Sequence, residues 1–215
     1  MLIRLHPDAV LFVGDLAEED LKVTKTIKEL PFPTALILGN HDRGHDHDGT
    51  FLLQQLEILG QIHCGWGYRA WESPNLSVVG ARPCTSGGGY FLSKQMKAVF
   101  GPVTLERSVA KIVSAAKEAP LNLPLIILAH SGPLGLGSDF SSICGRDWKA
   151  PAMDWGDKDL SIAIDEIRKF RVPELVVFGH MHHKLKRGGH IRQSFIRDSY
   201  GTSYLNAASV PRKIH

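Results

Sequence analysis

Four polar residues with metal-binding side chains each follow a short apolar run that ends in Gly or Ala. They are Asp15, Asn40, His130 and His180. A carboxylate can bridge two cations, and an amide oxygen and imidazole nitrogens can complete the ligand set. Mixed oxygen and nitrogen ligands of this kind suit Mn, Fe, Zn or similar divalent ions better than a thiolate site would. The residue types therefore predict a metal centre.

The apolar runs before these residues are typical of buried strands. They cover residues 9–13, 34–38, 125–128 and 174–178. Continuous apolar runs of this length predict strands in a sheet that is covered on both faces. α/β proteins build their sites at the carboxyl edge of such a sheet, where loops converge. We therefore expect the four metal-binding side chains to meet at that edge.

Segments with helical periodicity lie between the predicted strands and would cover the two faces of the sheet. Apolar residues at helical spacing predict helices over residues 18–30, 51–59, 104–119 and 159–170. Further strands are expected over 68–71 and 76–80, joined by the turn Ser73-Pro74-Asn75, and around 195–196 and 204–205. Residues 82–90 and 131–156 fit neither pattern. Long irregular segments in a compact domain are more often functional than idle.

The ligand-bearing segments resemble the calcineurin-like metallophosphoesterase superfamily, whose pattern runs D-x-H, G-D, G-N-H-[D/E], H and G-H-x-H in that order. The last four blocks are present as Gly14-Asp15, Gly39-Asn40-His41-Asp42, His130 and Gly179-His180-Met181-His182. Single blocks are common, but the ordered set is specific and covers most of the chain. The resemblance implies an α/β fold in which a two-sheet β-sandwich is flanked by helices in four layers. It also implies metal-dependent hydrolysis of phosphoesters.

The resemblance assigns roles to the metal-binding residues. Asp15 would bridge two divalent cations, and His182 would bind the first of them. Asn40, His130 and His180 would complete the ligands of the second. Two cations about 3.5 to 4 Å apart would activate the attacking water and neutralise the charge that develops on phosphorus.

The resemblance also implies the catalytic residues. His41 would act as the general acid that protonates the leaving oxygen. Asp42 would orient His41 and raise its pKa, because a neighbouring carboxylate favours imidazolium. Arg82 is a candidate contact for the substrate phosphate, with an ordinary salt bridge as the alternative. Arg82-Pro83 and residues 144–148 and 206–212 also look like segments of a subgroup found in cyanobacteria and plants.

The first block of the family pattern, D-x-H, is not found before Asp15. Only 14 residues precede Asp15, and the nearest likeness, His6-Pro7-Asp8, has the reversed order. We therefore expect the first strand and helix of the family fold to be missing, so that this chain binds at most one metal well and hydrolyses phosphoesters slowly or not at all. The alternative is a catalytically silent binding scaffold of the same fold. The intact His41 favours an enzyme.

The composition excludes several other classes of protein. The 215 residues fit one domain with one hydrophobic core, and 43% hydrophobic with 22% charged residues is ordinary for a globular chain. A net charge of +3 does not indicate nucleic-acid binding, and no apolar stretch reaches the ~18 residues that suggest a membrane span. We expect a phosphorylated substrate. The sequence does not determine the class of that substrate or the oligomeric state of the protein. The compartment is cytoplasmic by default, or a plastid if an upstream transit segment exists.

Several other features have simpler interpretations. The cluster His45-Asp46-His47-Asp48 could hold another metal, but a solvated loop explains it better. Ser86-Gly87-Gly88-Gly89 lacks the Lys-Ser/Thr ending of a phosphate-binding P-loop, so flexibility is the favoured interpretation. Trp148 and Trp155 are expected to pack or to form a cleft rim rather than a stacking platform. The 3 Cys residues have no CxxC spacing, so neither a disulfide framework nor a zinc knuckle is expected.

Overall fold

The computed structural model describes residues 2–187, 189 and 191–209, with side chains from Arg4 onward. In chain order its elements are α1 (Leu2–Leu5), β1 (Val10–Phe12), α2 (Leu21–Lys28), β2 (Thr34–Leu36), α3 (Thr50–Leu59), a 3-10 turn (Gly60–Ile62), β3 (Tyr68–Trp71), β4 (Leu76–Gly80), α4 (Lys94–Phe100), α5 (Leu105–Glu118), β5 (Leu125–Leu128), α6 (Lys158–Arg168), β6 (Leu175–Phe178), β7 (Phe195–Arg197) and β8 (Ser203–Asn206). None of the described helices combines the length and apolar character that a bilayer span requires.

The strands form two sheets. β1 and β2 pair in parallel, with Val10 opposite Thr34. The other six strands form a sheet in the order β3-β4-β5-β6-β8-β7. Its four inner strands are parallel, and its two edge strands, β3 and β7, are antiparallel to their neighbours. Every strand expected from the sequence is confirmed, and β3, β4 and β5 have the expected bounds.

Strand β2 and its continuation are covered on both faces, as the unbroken apolar run predicts. Ala35 and Ile37 are fully buried in the hydrophobic cluster of the larger sheet and helices α5 and α6. Leu36 and Leu38 are fully buried in a second cluster, with helices α2, α3 and α4. Alternate residues of an extended chain point to opposite faces, so the small sheet lies between the larger sheet and one group of helices. The fold is therefore α/β, with two sheets flanked by helices in four layers.

The hydrophobic interior consists of two clusters, where the composition led us to expect one. The small sheet separates them, because each of its faces is packed against a different group of elements. Trp66 packs against both clusters, and its indole N–H donates to the Ser108 hydroxyl at 2.9 Å. This side chain therefore links the two halves of the interior.

The four expected helices are confirmed as α2, α3, α5 and α6, with shifted ends. Helix α2 begins only at Leu21, because Glu18 has a φ of 46°, a left-handed conformation that a helix cannot accommodate. Asp20 caps α2 by accepting a hydrogen bond from the backbone N–H of Lys22. Helix α4 was not expected. It is capped by Ser93 and follows a Gly-rich segment that we had assigned to a loop.

The irregular segment 131–156 contains no helix or strand, as expected, but it is held in place by isolated bridges. Pro133 pairs with Asp157, and Gly145 pairs with Asp154. The segment therefore folds back on itself before helix α6 begins. It forms part of the surface beside the metal-binding loops.

Candidate metal centre

Glycine residues at the ends of the strands allow the metal-binding loops to approach each other. A Cβ atom on Gly14 would lie 2.5 Å from the backbone nitrogen of Gly39 and 2.7 Å from Nδ1 of His130. A Cβ atom on Gly39 would lie 2.3 Å from Oδ1 of Asp15. Such distances exclude any side chain at these two positions. The glycines of the sequence motifs are thus required by close packing at the site.

The loops bring together the four residues that the sequence singled out. Asp15, His130 and His180 each place one ligand atom within 4.8 Å of the others. Nε2 of His130 lies 2.9 Å from Oδ1 of Asn40 and 3.4 Å from Oδ1 of Asp15. The ring centroids of His130 and His180 are 5.0 Å apart. The four side chains therefore lie close together, as expected from their positions after the strands.

The hydrogen bonds of His130 determine which ring nitrogen is available to a metal. Nδ1 lies 2.6 Å from the carbonyl oxygen of Val13, which can only accept, so Nδ1 carries the proton. In the neutral ring, Nε2 then presents a lone pair to the side-chain oxygens of Asn40 and Asp15. A divalent cation placed between these three lone pairs would bind all of them. A protein carbonyl that fixes the outer nitrogen of a metal-binding His is a common arrangement, so the donor set fits a divalent cation.

Two of these residues have strained backbones. Asp15 has a φ of 56° and His180 a φ of 60°, in the left-handed region that residues other than Gly rarely adopt. Strain of this kind persists only where surrounding contacts enforce it, and it is concentrated at functional sites. Burial, together with the neighbouring His130, lowers the pKa of His180 to about 3. Its ring is therefore neutral at physiological pH and can act as a ligand.

Asp42 lies behind the site and holds two of its loops. Its buried carboxylate accepts hydrogen bonds of 2.7 Å each from the backbone N–H groups of Asp15, Leu16 and Gly39. Burial raises the pKa of Asp42, whereas the hydrogen bonds from Gly39 and Leu16 lower it. We expected Asp42 to orient His41. Instead, both oxygens of the Asp42 carboxylate accept hydrogen bonds from backbone N–H groups.

His41 faces solvent beside a carboxylate that the sequence did not indicate. Its side chain is 58% exposed, and its Nδ1 lies 3.8 Å from Oε1 of Glu18. Its backbone N–H donates to Oδ1 of Asp15 at 3.0 Å, which ties the His41 loop to the metal-binding carboxylate. Glu18 reaches this position through its left-handed backbone conformation. No local sequence signal marks that turn, so Glu18 was missed.

Two cavities flank the cluster. The first, of about 350 Å³, is lined by His41, His180 and His182 and by residues of the irregular segment 131–156. The second, of about 340 Å³, is lined by His41, His180 and His182 together with Asp15 and Glu18. His182 is exposed and lies outside the compact group of Asp15, His130 and His180. The family resemblance implies that His182 binds the first cation, whereas His130 and His180 bind the second.

Arg82 is a structural residue. It is only 2% exposed, and its guanidinium group forms ion pairs with Asp157 at 2.8 Å and Asp159 at 2.9 Å. It also donates to the carbonyl oxygen of Phe91 at 2.8 Å. The N–H donors of Arg82 are thus used within the fold. Arg82 therefore forms ordinary salt bridges, which were the alternative to a contact with the substrate phosphate. The partners could not be found from the sequence, because they lie 75 and 77 residues away.

The Gly-rich loop 86–89 packs against Trp155. The indole N–H of Trp155 donates to the carbonyl oxygen of Ser86 at 2.8 Å, and the backbone N–H of Gly88 donates to the Trp155 carbonyl at 2.7 Å. A Cβ atom on Gly88 would lie 2.3 Å from the indole ring. The loop therefore supports an aromatic side chain, a role that we had not expected. Trp148 and Trp155 line the first cavity, which agrees with the interpretation as a cleft rim.

The remaining candidates have local structural roles. In the polar cluster 45–48, His45 pairs with Glu19 at 3.1 Å, and Asp48 accepts a hydrogen bond from the backbone N–H of Thr50. The three Cys side chains are free and buried. Of the subgroup segments, residues 210–212 lie outside the described part of the chain. Asn206 is described, and its amide donates to the carbonyl oxygen of Met181 at 2.7 Å, which supports the loop that carries His180.

Comparisons with known proteins agree with this geometry. The family model of calcineurin-like phosphoesterases matches residues 2–184. The solved structure of phosphopantetheinyl hydrolase from Mycobacterium tuberculosis is similar, with a TM-score of 0.53 and 12% sequence identity over 92% of this chain and 77% of that chain. At this identity the likeness shows the fold alone. A comparison with curated proteins found no match. Because the family model covers far more than half of the sequence, the chain belongs to the calcineurin-like phosphoesterase family.

Proposed function

We propose that this chain hydrolyses phosphoesters with a divalent cation held by Asp15, Asn40, His130 and His180. The family to which it belongs generally uses divalent metals in phosphoester hydrolysis. The observation that carries the proposal is the contact of three lone pairs, from Nε2 of His130 and the side-chain oxygens of Asn40 and Asp15. A divalent cation at the centre of this arrangement would satisfy all three acceptors.

The chain's own residues position the reaction. Bound divalent cations would supply an activated water nucleophile and would neutralise charge on the phosphoryl group. His41, which is exposed and lines both cavities, protonates the leaving oxygen, and Glu18 orients its ring. Asp42 acts as a positioning residue, because it fixes the backbones that carry Asp15 and Asn40.

We propose one tight metal site in this 215-residue chain. Among the described residues, the only compact group of His, Cys, Asp and Glu ligands is Asp15, His130 and His180. His182 is the further residue that the family resemblance adds on the other side of Asp15. A single added side chain does not complete a second ligand shell, so a second cation is expected to bind weakly. The activity of the chain is correspondingly expected to be slow.

The test combines metal analysis with turnover of p-nitrophenyl phosphate by the Mn²⁺-loaded protein. We expect His41→Ala to reduce kcat by about 10²- to 10⁴-fold, the usual contribution of a general acid, without changing the bound metal. His45→Ala is the matched control, since His45 is an exposed His in the same loop, and it is expected to retain activity. Equal turnover by the wild type and His41→Ala would remove His41 from the mechanism.

A binding scaffold without catalysis is the second candidate. It is favoured by the single compact group of ligand side chains, Asp15, His130 and His180, among the described residues. The same experiment separates the two candidates. A scaffold would bind Mn²⁺ tightly but would show no turnover above that of free Mn²⁺, in the wild type as in His41→Ala.

A further inference from the structure

The first cavity has an aromatic wall formed by Trp148 and Trp155. This aromatic cleft of about 350 Å³ is also lined by His41, His180, His182 and Lys186. Its volume is in the range of small-molecule sites. A substrate whose phosphoryl group lies at the metal centre would therefore place its organic part against the aromatic wall.

Trp155 is held rigidly in this wall. Its backbone N–H donates to the carbonyl oxygen of Cys144 at 2.9 Å, and its indole N–H donates to the carbonyl oxygen of Ser86 at 2.8 Å. The guanidinium carbon of Arg146 lies 5.0 Å from its ring centroid, in a cation–π contact. Trp155 therefore serves as a fixed support for the residue in front of it.

Trp148 presents the open aromatic surface. Its ring meets that of Trp155 edge to face, with centroids 5.3 Å apart and an interplanar angle of 81°. Its side chain is nevertheless 39% exposed, so much of the indole surface lies free at the cleft. A preorganised aromatic ring at the rim of a cleft favours a planar ring of the ligand, because stacking needs little loss of side-chain freedom.

Lys186 contributes a positive charge to the aromatic cleft. Asp147 is buried and paired with Arg192 at 3.1 Å, and it also accepts a hydrogen bond from the backbone N–H of Lys186. Its charge is thus neutralised within the fold. The exposed ammonium group of Lys186 has no carboxylate within ion-pair distance in the part of the chain that the structure describes. It can therefore contact an anionic group of the ligand.

We infer that the preferred substrates are small phosphoesters whose organic part carries a planar ring and a second anionic group. The ring stacks on Trp148, and Lys186 contacts the second anion. This inference rests on the proposed phosphoesterase function, because that function places the scissile phosphate beside His180. The inference concerns the organic part of the substrate, which determines selectivity.

The experiment measures binding by ligand-observed NMR titration of the Ca²⁺-loaded protein, which keeps a divalent cation at the metal centre without the paramagnetism of Mn²⁺. The probes are adenosine 3′,5′-bisphosphate, adenosine 5′-monophosphate and ribose 5-phosphate, which differ in the second phosphate and in the planar ring. We expect affinity to fall in that order. Trp148→Ala should weaken binding of both adenosine compounds by on the order of tenfold, since base stacking on an aromatic residue is worth ~1–3 kcal/mol. Binding of ribose 5-phosphate should not change.

Three further variants separate a contact with the ligand from a general loss of structure. Trp148→Phe keeps an aromatic face and should retain part of the preference for a ring. Lys186→Ala should abolish the preference for the bisphosphate over the monophosphate. Tyr68→Ala is the matched control, because Tyr68 is 40% exposed and lies on the remote edge strand β3, and it should bind all probes as the wild type does.

Two results would overturn the inference. One is equal affinity of the wild type for adenosine 5′-monophosphate and ribose 5-phosphate. The other is an affinity of Trp148→Ala for both adenosine compounds that equals that of the wild type. Neither result depends on hydrolysis. If only the proposed function fails, the protein shows no turnover but still prefers ligands with a planar ring.

Discussion

Nε2 of His130 lies 2.9 Å from the side-chain oxygen of Asn40, although the two residues are 90 positions apart in the chain. Because Nδ1 of His130 is engaged by the carbonyl oxygen of Val13, the neutral ring faces Asn40 with a lone pair and not with a proton. A cation between the two side chains would bind both of these atoms. The contact connects the histidine that follows β5 to the asparagine that follows β2, and thus joins the two sheets at the metal centre.

Asn40→Ala is expected to separate metal binding from folding. In the metal-free protein it removes an acceptor that faces another lone pair, so the free energy of unfolding should change by no more than about 1 kcal/mol. In excess Mn²⁺ the stabilisation should fall by about 1.4 kcal/mol for each tenfold loss of affinity. Thermal unfolding with and without Mn²⁺ measures both effects. Asn122→Ala, at an exposed turn, should keep the full metal-induced rise in Tm. An unchanged rise in Asn40→Ala would remove Asn40 from the ligand set.

Asp42→Asn is expected to destabilise the protein and to weaken its metal site. An amide offers one acceptor oxygen, and its NH₂ group would face backbone N–H donors, so about 2 to 4 kcal/mol of the free energy of unfolding should be lost. Urea unfolding measures this loss, and Mn²⁺ titration should show weaker binding because the Asp15 backbone is released. Asp20→Asn is the control, since Asp20 is exposed and accepts one hydrogen bond. Wild-type stability in Asp42→Asn would contradict the role of Asp42 as an anchor for the loops.

Arg82→Lys tests whether Arg82 serves the fold or the substrate. Lysine cannot reproduce the forked contacts with Asp157 and Asp159, and a poorly paired buried carboxylate is costly, so we expect a loss of about 2 to 4 kcal/mol in the free energy of unfolding. At temperatures where the variant is folded, its KM for p-nitrophenyl phosphate should equal that of the wild type. Arg107→Lys, at an exposed position of α5, should affect neither quantity. A stable variant with a raised KM would restore Arg82 as a phosphate contact.

His63 is expected to make the protein sensitive to mild acid. Burial lowers the pKa of His63 to about 4, and among the described residues its Nε2 has no hydrogen-bond partner. The unfolded chain, with a His pKa near 6.5, binds the proton more tightly. The contribution of His63 to stability is therefore complete above pH 6.5 and is lost as the pH falls towards 4. His180 acts in the same direction, so the effect of His63 must be measured as a difference between proteins.

His63→Phe should reduce the loss of unfolding free energy between pH 7.5 and pH 5 by about 1 to 2 kcal/mol, as measured by urea unfolding at both pH values. His45→Phe is the matched control, because it makes the same replacement at a side chain that is 80% exposed. The same slope in the wild type and His63→Phe would show that other groups cause the acid sensitivity.

The candidate site was largely predictable, because its ligands follow strands that local patterns identify. Asp15, Asn40, His130 and His180 each come within a few residues of an apolar run. The roles of Asp42 and Glu18 were not predictable. Asp42 binds backbone groups 26 and 27 residues away, and Glu18 meets His41 only because its own backbone turns to the left-handed region. Helix α4 was missed because it is short and follows a Gly-rich segment.

By itself the sequence determined the α/β class, the identity of the strands and the chemistry of the metal-binding side chains, because apolar periodicity and side-chain type are properties of neighbouring residues. Only the tertiary structure decided that Arg82 pairs with Asp157, and that Trp148 and His180 line the same cleft. These outcomes depend on distances between segments far apart in the chain. Such distances are set by how the two sheets and their helices pack, which no local pattern records.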